Sequence, residues 1–399
     1  MRKAFKYRIY PNKEQERKLF WTLTRCRELY NAALSERRDA YTYERKSITY
    51  RMQQNDLPEI RDLLREEYQQ IHSQVLQDVL KRLEKAFQHF FRRVMNGEKP
   101  GYPRFQGRNR YNSFTYPQGG YTLSEKSVTL GKIGTIKCVV HRPMEGQAKT
   151  CTTKYESGQW YVVFSCDVKE PERLPGVESE VGIDLGGTHF AALSDGTFIE
   201  NPRHFRKAEK LLQRRSQVLS RKKQRSHRRE KARRLVTKAH RKILNQRRDF
   251  HHQQSRQLVD TRSLIVFEDL QIANLTKAPK PKQDEATGHY LPNGAVAKGG
   301  LNKSILDAGW AIFQQMCTYK AAWAGRTVML VDPKFTSQVC SGCGTFRKKD
   351  LSERWHSCSC GVSLDRDTNA AVNILYRGKK QLLGVEDANR AKPVEAPCL

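Results

Sequence analysis

Two short apolar runs each carry a single carboxylate, and this combination restricts the fold more than any other feature of the chain. Val-Gly-Ile-Asp184-Leu-Gly and Leu-Ile-Val-Phe-Glu268-Asp-Leu are rich in β-branched residues and read as buried strands. A third acidic position, Asp367 in Leu-Asp-Arg-Asp-Thr-Asn-Ala-Ala, opens an Ala-rich helical pattern. Carboxylates delivered to one spot from strand ends and a nearby helix repel each other unless cations neutralise them. Mg²⁺, with Mn²⁺ as an alternative, is the usual occupant of an oxygen-only site.

These acids stand out because the chain is strongly basic. Across 399 residues Lys plus Arg outnumber Asp plus Glu by 73 to 42, a formal charge of +31. Neutralising phosphates with Lys and Arg releases counterions, so a nucleic-acid partner is expected and the length allows several domains. A membrane is not expected as a partner, because no apolar run is long enough to span one. Met1-Arg2-Lys3-Ala4-Phe5-Lys6 lacks the apolar core of a signal peptide, which points to the cytoplasm and the nucleoid.

In that compartment ten cysteines do not imply a disulfide framework. Cys26, Cys138, Cys151, Cys166, Cys317 and Cys398 are isolated and read as packing or surface residues. The other four cluster as Cys340-Ser-Gly-Cys343-Gly and Cys358-Ser-Cys360-Gly, and two pairs each followed by a turn-favouring Gly suit one tetrahedral Zn²⁺. The second pair is separated only by Ser359, which leaves His356 as a substitute or additional ligand.

Along the chain, Ala4 to Tyr10 alternates as a strand and stops at Pro11-Asn12. Helical periodicity follows over Glu14 to Arg38 and Ser73 to Met95, until Pro and Gly break it near Asn96 to Phe105. Short alternating runs from Ser113 to Val168 predict a small β-barrel or sandwich. Arg104, Phe105, Arg108, Arg110, Tyr111, Phe114 and Tyr116 interleave charge with aromatics and are candidates to meet nucleic acid; a solvated loop is the alternative. After Pro171 to Pro175 the Asp184 strand pairs with a second strand over His189 to Leu193. A basic helical hairpin then runs from Arg206 to about Leu258, with Leu211, Leu212, Val218, Leu219, Leu235, Ile243 and Leu244 as its apolar seam. Arg221, Lys222, Arg225 and Arg228 lie on its phosphate-facing side. His251-His252 in this hairpin are expected to face RNA or water rather than a metal. A Pro, Gly and Lys-rich segment over 277–300 predicts a mobile loop, either a lid over the site or disorder without function, and a helix is expected over Ser304 to Trp323.

The ordered set Gly-Ile-Asp184-Leu-Gly, Phe-Glu268-Asp-Leu, Asp307-Ala-Gly-Trp310, Thr336-Ser-Gln-Val-Cys340-Ser-Gly-Cys343-Gly and Asp365-Arg-Asp367-Thr-Asn369-Ala-Ala resembles the TnpB family of transposon-encoded, RNA-guided nucleases, relatives of type V CRISPR effectors. Tyr-Arg-Ile-Tyr10-Pro-Asn and Gly101-Tyr-Pro-Arg-Phe105 are similar to it as well. The resemblance covers nearly the whole chain and implies a multidomain α+β and α/β protein. Residues 1–10 would supply the first strand of a wedge β-barrel, 11–98 an inserted helical recognition lobe and 99–176 the rest of the barrel. A RuvC-like, ribonuclease-H-fold nuclease domain would follow over 177–338, holding the basic hairpin 206–258 and the lid loop 277–300. An inserted zinc ribbon over 339–361, the nuclease's final helix over 362–380 and a disordered tail over 381–399 complete it.

The same resemblance makes Asp184, Glu268 and Asp367 the catalytic metal ligands, with Asp365 at the helix start or behind the ligands and Asn369 orienting them. It implies a non-coding guide RNA from the transposon end and double-stranded target DNA beside a short adjacent motif, which Tyr50 and Gln77 are positioned to touch. The expected chemistry is two-metal phosphodiester hydrolysis, one Mg²⁺ activating water and the other stabilising the leaving 3′ oxygen. An RNA-guided DNA-binding regulator that does not cleave, or a transposase, is the alternative.

Overall fold

The computed structural model describes residues 1–384 other than 109, 171, 172 and 351. The chain forms two compact units, Met1–Glu170 and Pro171–Leu399. Cys398, the start of the linker at Pro171-Glu172 and the expected tail from 385 onward lie outside the described residues, whereas Gln381 and Leu382 still belong to a helix. No helix among the described residues is long and apolar enough to cross a membrane.

In the first unit, strand β1 (Arg2–Tyr10) is followed by helices α1 (Lys13–Glu44), α2 (Tyr50–Glu59) and α3 (Ser73–Met95). Six strands complete the unit: β2 (Ser113–Tyr116), β3 (Tyr121–Leu123), β4 (Ser127–Leu130), β5 (Gly134–Val139), β6 (Gln147–Glu156) and β7 (Gln159–Asp167). They form a seven-stranded sheet in the order β2-β6-β7-β1-β5-β4-β3, antiparallel at every pairing. Strand β1 is central, and its alternation buries Phe5, Tyr7 and Ile9 while Arg8 and Tyr10 face out. Its turn at Asn12 starts α1 through a reciprocal cap: Gln15 N donates to Asn12 Oδ1 and Asn12 N donates to Gln15 Oε1. Leu19, Leu23, Cys26, Tyr30 and Leu34 of α1 and Val75, Val79, Leu80 and Leu83 of α3 share the core with the sheet. Phe114 and Tyr116 belong to that core too, at 0 and 1 % exposure, and the Tyr116 hydroxyl donates to the Gly131 carbonyl. They are packing residues and not surfaces for base stacking; Arg104, Arg108 and Arg110 of the same stretch are exposed.

The second unit opens with β8 (Glu180–Leu185), β9 (Ala191–Leu193) and β10 (Phe198–Ile199), then α4 (His204–Ser220), α5 (His227–Thr261) and β11 (Leu264–Glu268). Next come α6 (Ile272–Leu275), the paired short strands β12 (Lys282–Gln283) and β13 (Tyr290–Leu291), α7 (Ala295–Ala308), α8 (Trp310–Ala324) and β14 (Thr327–Val331). The short strands β15 (Trp355–Ser357) and β16 (Ser363–Asp365) lead into α9 (Arg366–Leu382). The main sheet has the order β10-β9-β8-β11-β14; β8, β11 and β14 pair in parallel, and β9 runs antiparallel to both its neighbours, so β10 runs in the direction of β8.

Period-two alternation divides this sheet between two helical layers. Val181, Ile183, Leu185, Ile265 and Phe267 share a core with Leu258 and Val259 of α5 and Phe313 and Cys317 of α8. Leu264 and Val266 point the other way, into a core with Ile374 of α9. Residues 182, 184 and 268 therefore fall on the α9 face. Helix α9 lies close to β8 because residue 182 is glycine: a Cβ there would stand 2.1 Å from the Ala371 carbonyl oxygen and 2.6 Å from Leu375 N. Gly378 does the same from the helix side, since its Cβ would meet Val266 at 2.5 Å.

Three further expectations need correction. The hairpin seam is narrower than the apolar pattern suggests: Leu212, Ala239 and Ile243 form its core, while Leu211, Val218, Leu235 and Leu244 are 41–47 % exposed. Two helices in contact share only a narrow stripe, so neighbours such as Leu211 and Leu212 cannot both be covered. The segment 277–300 contains the β12–β13 pair and the first turns of α7, which begins at Ala295 rather than Ser304. The helix expected to reach Trp323 unbroken is divided at Gly309, whose left-handed backbone (φ +69°) passes Arg247 and His251, 3.3 and 3.1 Å from where a Cβ would stand.

Replacing Gly182 by Ala should push α9 off the strand and destabilise the second unit by about 1–3 kcal/mol or more. Thermal denaturation would read this as a Tm drop of roughly 2–4 °C per kcal/mol. Gly299→Ala, where an added Cβ meets nothing, should cause no drop.

Candidate active site and cysteine cluster

The fold brings the three acids together from separate elements. Asp184 lies on β8 opposite Ala192 of β9, Glu268 ends β11, and Asp367 is in the first turn of α9. Burial raises the Asp184 carboxyl well above its usual range, and the negative charges of Glu268 and Asp367 raise it further. Burial also raises Glu268, opposed by a hydrogen bond from Thr336 and by the charge of Arg377. Asp367 is raised by burial and then by Asp365, while Arg354, Arg366 and His189 pull it down. Negative charge at this spot is thus only partly compensated by the chain itself. A Cβ on Gly186, in the turn after β8, would stand 3.9 Å from Asp367 Oδ2, so that turn forms one wall of the site.

Asp365 has a different job. Its Oδ1 accepts from Asp367 N at 2.8 Å and Thr368 N at 3.3 Å, which makes it the N-cap of α9. Asn369 does not reach the carboxylates: its amide donates to the Val339 carbonyl at 2.8 Å and its Oδ1 accepts from Ser341 N at 3.0 Å.

The four cysteines converge. Their sulfurs lie within 4.8 Å of one another, with Cys340–Cys360 at 3.6 Å and Cys343–Cys358 at 3.5 Å. A tetrahedral Zn²⁺ with Zn–S bonds of about 2.3 Å needs sulfur separations of about 3.8 Å, so this cluster suits a zinc ion. The short Cys-Ser-Cys spacing succeeds through a tight turn, in which Cys358 N donates to the Val362 carbonyl and Gly361, at φ +92°, donates back to Cys358. Contacts with the Thr345 side chain and backbone hold the Cys343 thiol down at about 6, whereas Cys360, despite a backbone hydrogen bond at Val362 that lowers it, is pushed up to about 12 by Cys340. His356 is not a member of the cluster; it is buried with Nδ1 against Lys349 Nζ. Among the described residues the cysteines alone form a metal-ligating group this tight, and the three carboxylates are looser.

Several contributors carry little signal in sequence. The Thr336 hydroxyl donates to Glu268 Oε1 at 2.6 Å inside the protein. Asp307 accepts from Phe205 N at 3.0 Å through both oxygens and pairs with Arg247 at 3.1 Å, tying the base of the hairpin to α7. His251 also differs from expectation. It is 1 % exposed with Nε2 2.8 Å from the Ala308 carbonyl, and burial lowers it to about 4, so it is a neutral core residue. Its neighbour His252 is exposed.

The candidate nucleic-acid contacts fall into distinct settings. Arg221, Arg225 and Arg228 are exposed and Lys222 is half-buried at the turn between α4 and α5. Arg229 closes that turn by donating to the Leu219 and Lys222 carbonyls at 3.0 Å each. Arg104 and Arg110 are exposed ahead of β2, and Gln77 is half-buried on α3. Tyr50 packs against the first unit's core, and burial raises its phenol.

A family model described as "Probable transposase" matches residues 163–278, and a "Cas12f1-like, TNB domain" model matches 310–374. A "Helix-turn-helix domain" model matches residues 1–46, which here form one strand and one long helix. The chain is 33 % identical over 398 residues to "Putative RNA-guided DNA endonuclease InsQ" of Escherichia coli (strain K12), covering 98 % of this chain and 96 % of that protein. It is 34 % identical over 387 residues to "Putative RNA-guided DNA endonuclease" of Streptomyces pristinaespiralis, covering 95 % and 90 %. In fold it resembles the protein of the "Cryo-EM structure of the Cas12f1-sgRNA-target DNA complex", with a TM-score of 0.54 and 14 % identity over 94 % of this chain and 98 % of that one.

Elemental analysis should find about one zinc per chain, lost on Cys343→Ser or Cys358→Ser. The carboxylates make a separate prediction. Because Asp184 is raised in the folded state, its stabilising contribution is complete below the unfolded value of about 3.9 and lost as pH rises through the folded value. At neutral pH, without Mg²⁺ or Mn²⁺, Asp184→Asn should therefore raise Tm, and its advantage should vanish on acidification. Equal Tm values at neutral pH would contradict the electrostatic account.

Proposed function

The chain belongs to the TnpB family, and from that premise we propose that it is an RNA-guided DNA endonuclease of transposon origin whose cutting site is Asp184, Glu268 and Asp367. The observation that carries this reading is the meeting of these acids on the α9 face of the sheet, in a chain related over nearly its whole length to proteins named as such endonucleases. A five-stranded sheet in which β8, β10, β11 and β14 run one way and β9 runs against them, with α9 on the face opposite α5 and α8, favours a RuvC-like, ribonuclease-H-type domain. For the first unit we propose the roles of wedge and recognition lobe. The partners would be a non-coding RNA from the transposon end and double-stranded DNA beside a short adjacent motif.

The donor set fits hard divalent cations: all its ligands are carboxylate oxygens, and their mutual repulsion leaves negative charge to be neutralised. Bound Mg²⁺ would supply an activated water and stabilise charge on the leaving oxygen. What the chain contributes is position. Asp184, influenced by both other acids, would hold the cations together with them; Thr336 holds Glu268; Asp365 holds the start of the helix that bears Asp367. The basic turn between α4 and α5 binds backbone phosphates, while sequence choice is delegated to base pairing with the guide.

Incubation with guide RNA, matched DNA and Mg²⁺ should yield double-strand breaks. Asp184→Ala, Glu268→Ala and Asp367→Ala should each cut cleavage by more than about 100-fold, beyond the range for a group that only orients a ligand, while RNA-directed DNA binding persists. Full cleavage by Asp184→Ala would refute the assignment. The family model's description as a transposase favours strand transfer as a second reading, and joined products in the same reaction would select it. Replacing Arg221, Lys222, Arg225 and Arg228 together by Ala should flatten the dependence of log K on log salt by roughly 0.7–0.9 for each phosphate no longer neutralised.

A further inference from the structure

We propose that Thr336 is the positioning residue for Glu268, and that the cysteine knuckle acts on the carboxylate site through it. This deepens the reading of Glu268 as a cation ligand and rests on it.

Glu268 is 8 % exposed at the end of β11, and Thr336 is 5 % exposed. The Thr336 hydroxyl has one proton to give, and it lies 2.6 Å from Glu268 Oε1 and 3.3 Å from the Pro333 carbonyl. The shorter contact to the charged acceptor dominates. That bond restrains rotation of the carboxyl and so fixes where its oxygens point.

Thr336 lies in a turn outside any helix or strand, where bonds from Gln338 N and Val339 N to the Phe335 carbonyl and from Lys349 Nζ to the Ser337 carbonyl are joined by side chains from α9. The Asn373 amide donates to the Thr336 carbonyl at 2.9 Å and to the Val339 carbonyl at 2.7 Å. Asn369, one helical turn earlier, donates to the same Val339 carbonyl at 2.8 Å and accepts from Ser341 N at 3.0 Å. Both asparagines are deeply buried, at 0 and 4 % exposure. Residues 339 and 341 flank Cys340, the first sulfur of the cluster. One helix thus carries Asp367 in its first turn and, through two amides, grips the segment running from Thr336 into the knuckle. Disorder in the sulfur cluster would loosen residues 339–341, and the hydroxyl would lose its register with Glu268. A threonine that merely filled a buried position would need neither the short bond to the acid nor the amide holding its carbonyl.

The test is Mn²⁺ binding to the full-length chain, followed by the electron paramagnetic resonance of free Mn²⁺, with zinc content and Tm measured alongside. Thr336→Val keeps the shape and removes the donor; it should weaken Mn²⁺ binding by about 10- to 100-fold with zinc retained, and Thr336→Ser should restore most of it. Removing zinc from the wild type should weaken Mn²⁺ binding too, and should add little in Thr336→Val, because the two changes break the same chain of contacts. Wild-type Mn²⁺ affinity in Thr336→Val alongside weak binding in Glu268→Gln would overturn the proposal and leave Glu268 as a ligand. Unchanged affinity in Glu268→Gln would remove the ligand reading itself. Failure of Thr336→Ser to recover binding, or fully additive effects of zinc removal and Thr336→Val, would overturn the role of the hydroxyl or the coupling respectively.

Discussion

Helix α9 reaches Asp184 because the strand beneath it has no side chain at position 182. A methyl group there would sit 2.1 Å from the Ala371 carbonyl, so a helix packed over any other residue would have to stand away from β8. Gly378 makes the reciprocal concession from the helix, over Val266. A glycine inside a helix or strand is unfavourable by roughly 0.5–1 kcal/mol relative to Ala, and close approach of the two backbones is what it provides in return. The parallel strands add the rest: with Ile265 and Phe267 committed to the α5 and α8 core, Glu268 must emerge on the face where α9 presents Asp367.

The acids so assembled are an electrostatic weakness in the free protein. Each is raised by burial, and each has another acid among its neighbours. The surroundings temper this with hydrogen bonds and with a few cationic neighbours such as Arg366 and Arg377 and do not neutralise it. Bringing buried acids together costs stability, as strained functional sites commonly do. Around it the polar groups serve as fasteners: Asp365 for the helix start, Asn369 and Asn373 for the knuckle, Asp307 for the base of the hairpin.

Outside this site the charge balance reverses. Along the hairpin the acids are few: Glu230 serves both Arg233 and Arg234, and Glu209 serves Arg206 and Lys303. Exposed pairs of this kind contribute little to stability, so the hairpin is held by the thin apolar stripe of Leu212, Ala239 and Ile243 and by Asp307 at its base. Its basic turn is geometrically set by Arg229, which spends its guanidinium on backbone carbonyls and leaves Arg221, Arg225 and Arg228 exposed. The arrangement is consistent with a surface completed by polyanions.

Local pattern carried a good deal of this. Alternation over residues 4–10 was legible because a strand has a period of two whatever packs on it, the apolar β-branched runs over 181–185 and 263–268 read as buried strands, and helical periodicity identified Ser73–Met95 to the residue. The cysteine pairs were readable because ligand spacing is local, and the acids because carboxylates are rare in apolar runs. What the amino-acid order could not reveal were contacts closed across long stretches of chain: Thr336 on Glu268 over 68 residues, Asp307 on Phe205 over 102, His251 on Ala308 over 57. The burial of Phe114 and Tyr116, the break at Gly309 and the exposure of half the hairpin seam belong with them. Sequence by itself determined which residues could be strands, helices, sulfur ligands and acids, because those depend on neighbours along the chain. Only the tertiary structure decided which acid is held by which hydroxyl and which apolar side is covered, because those depend on what another part of the chain places opposite.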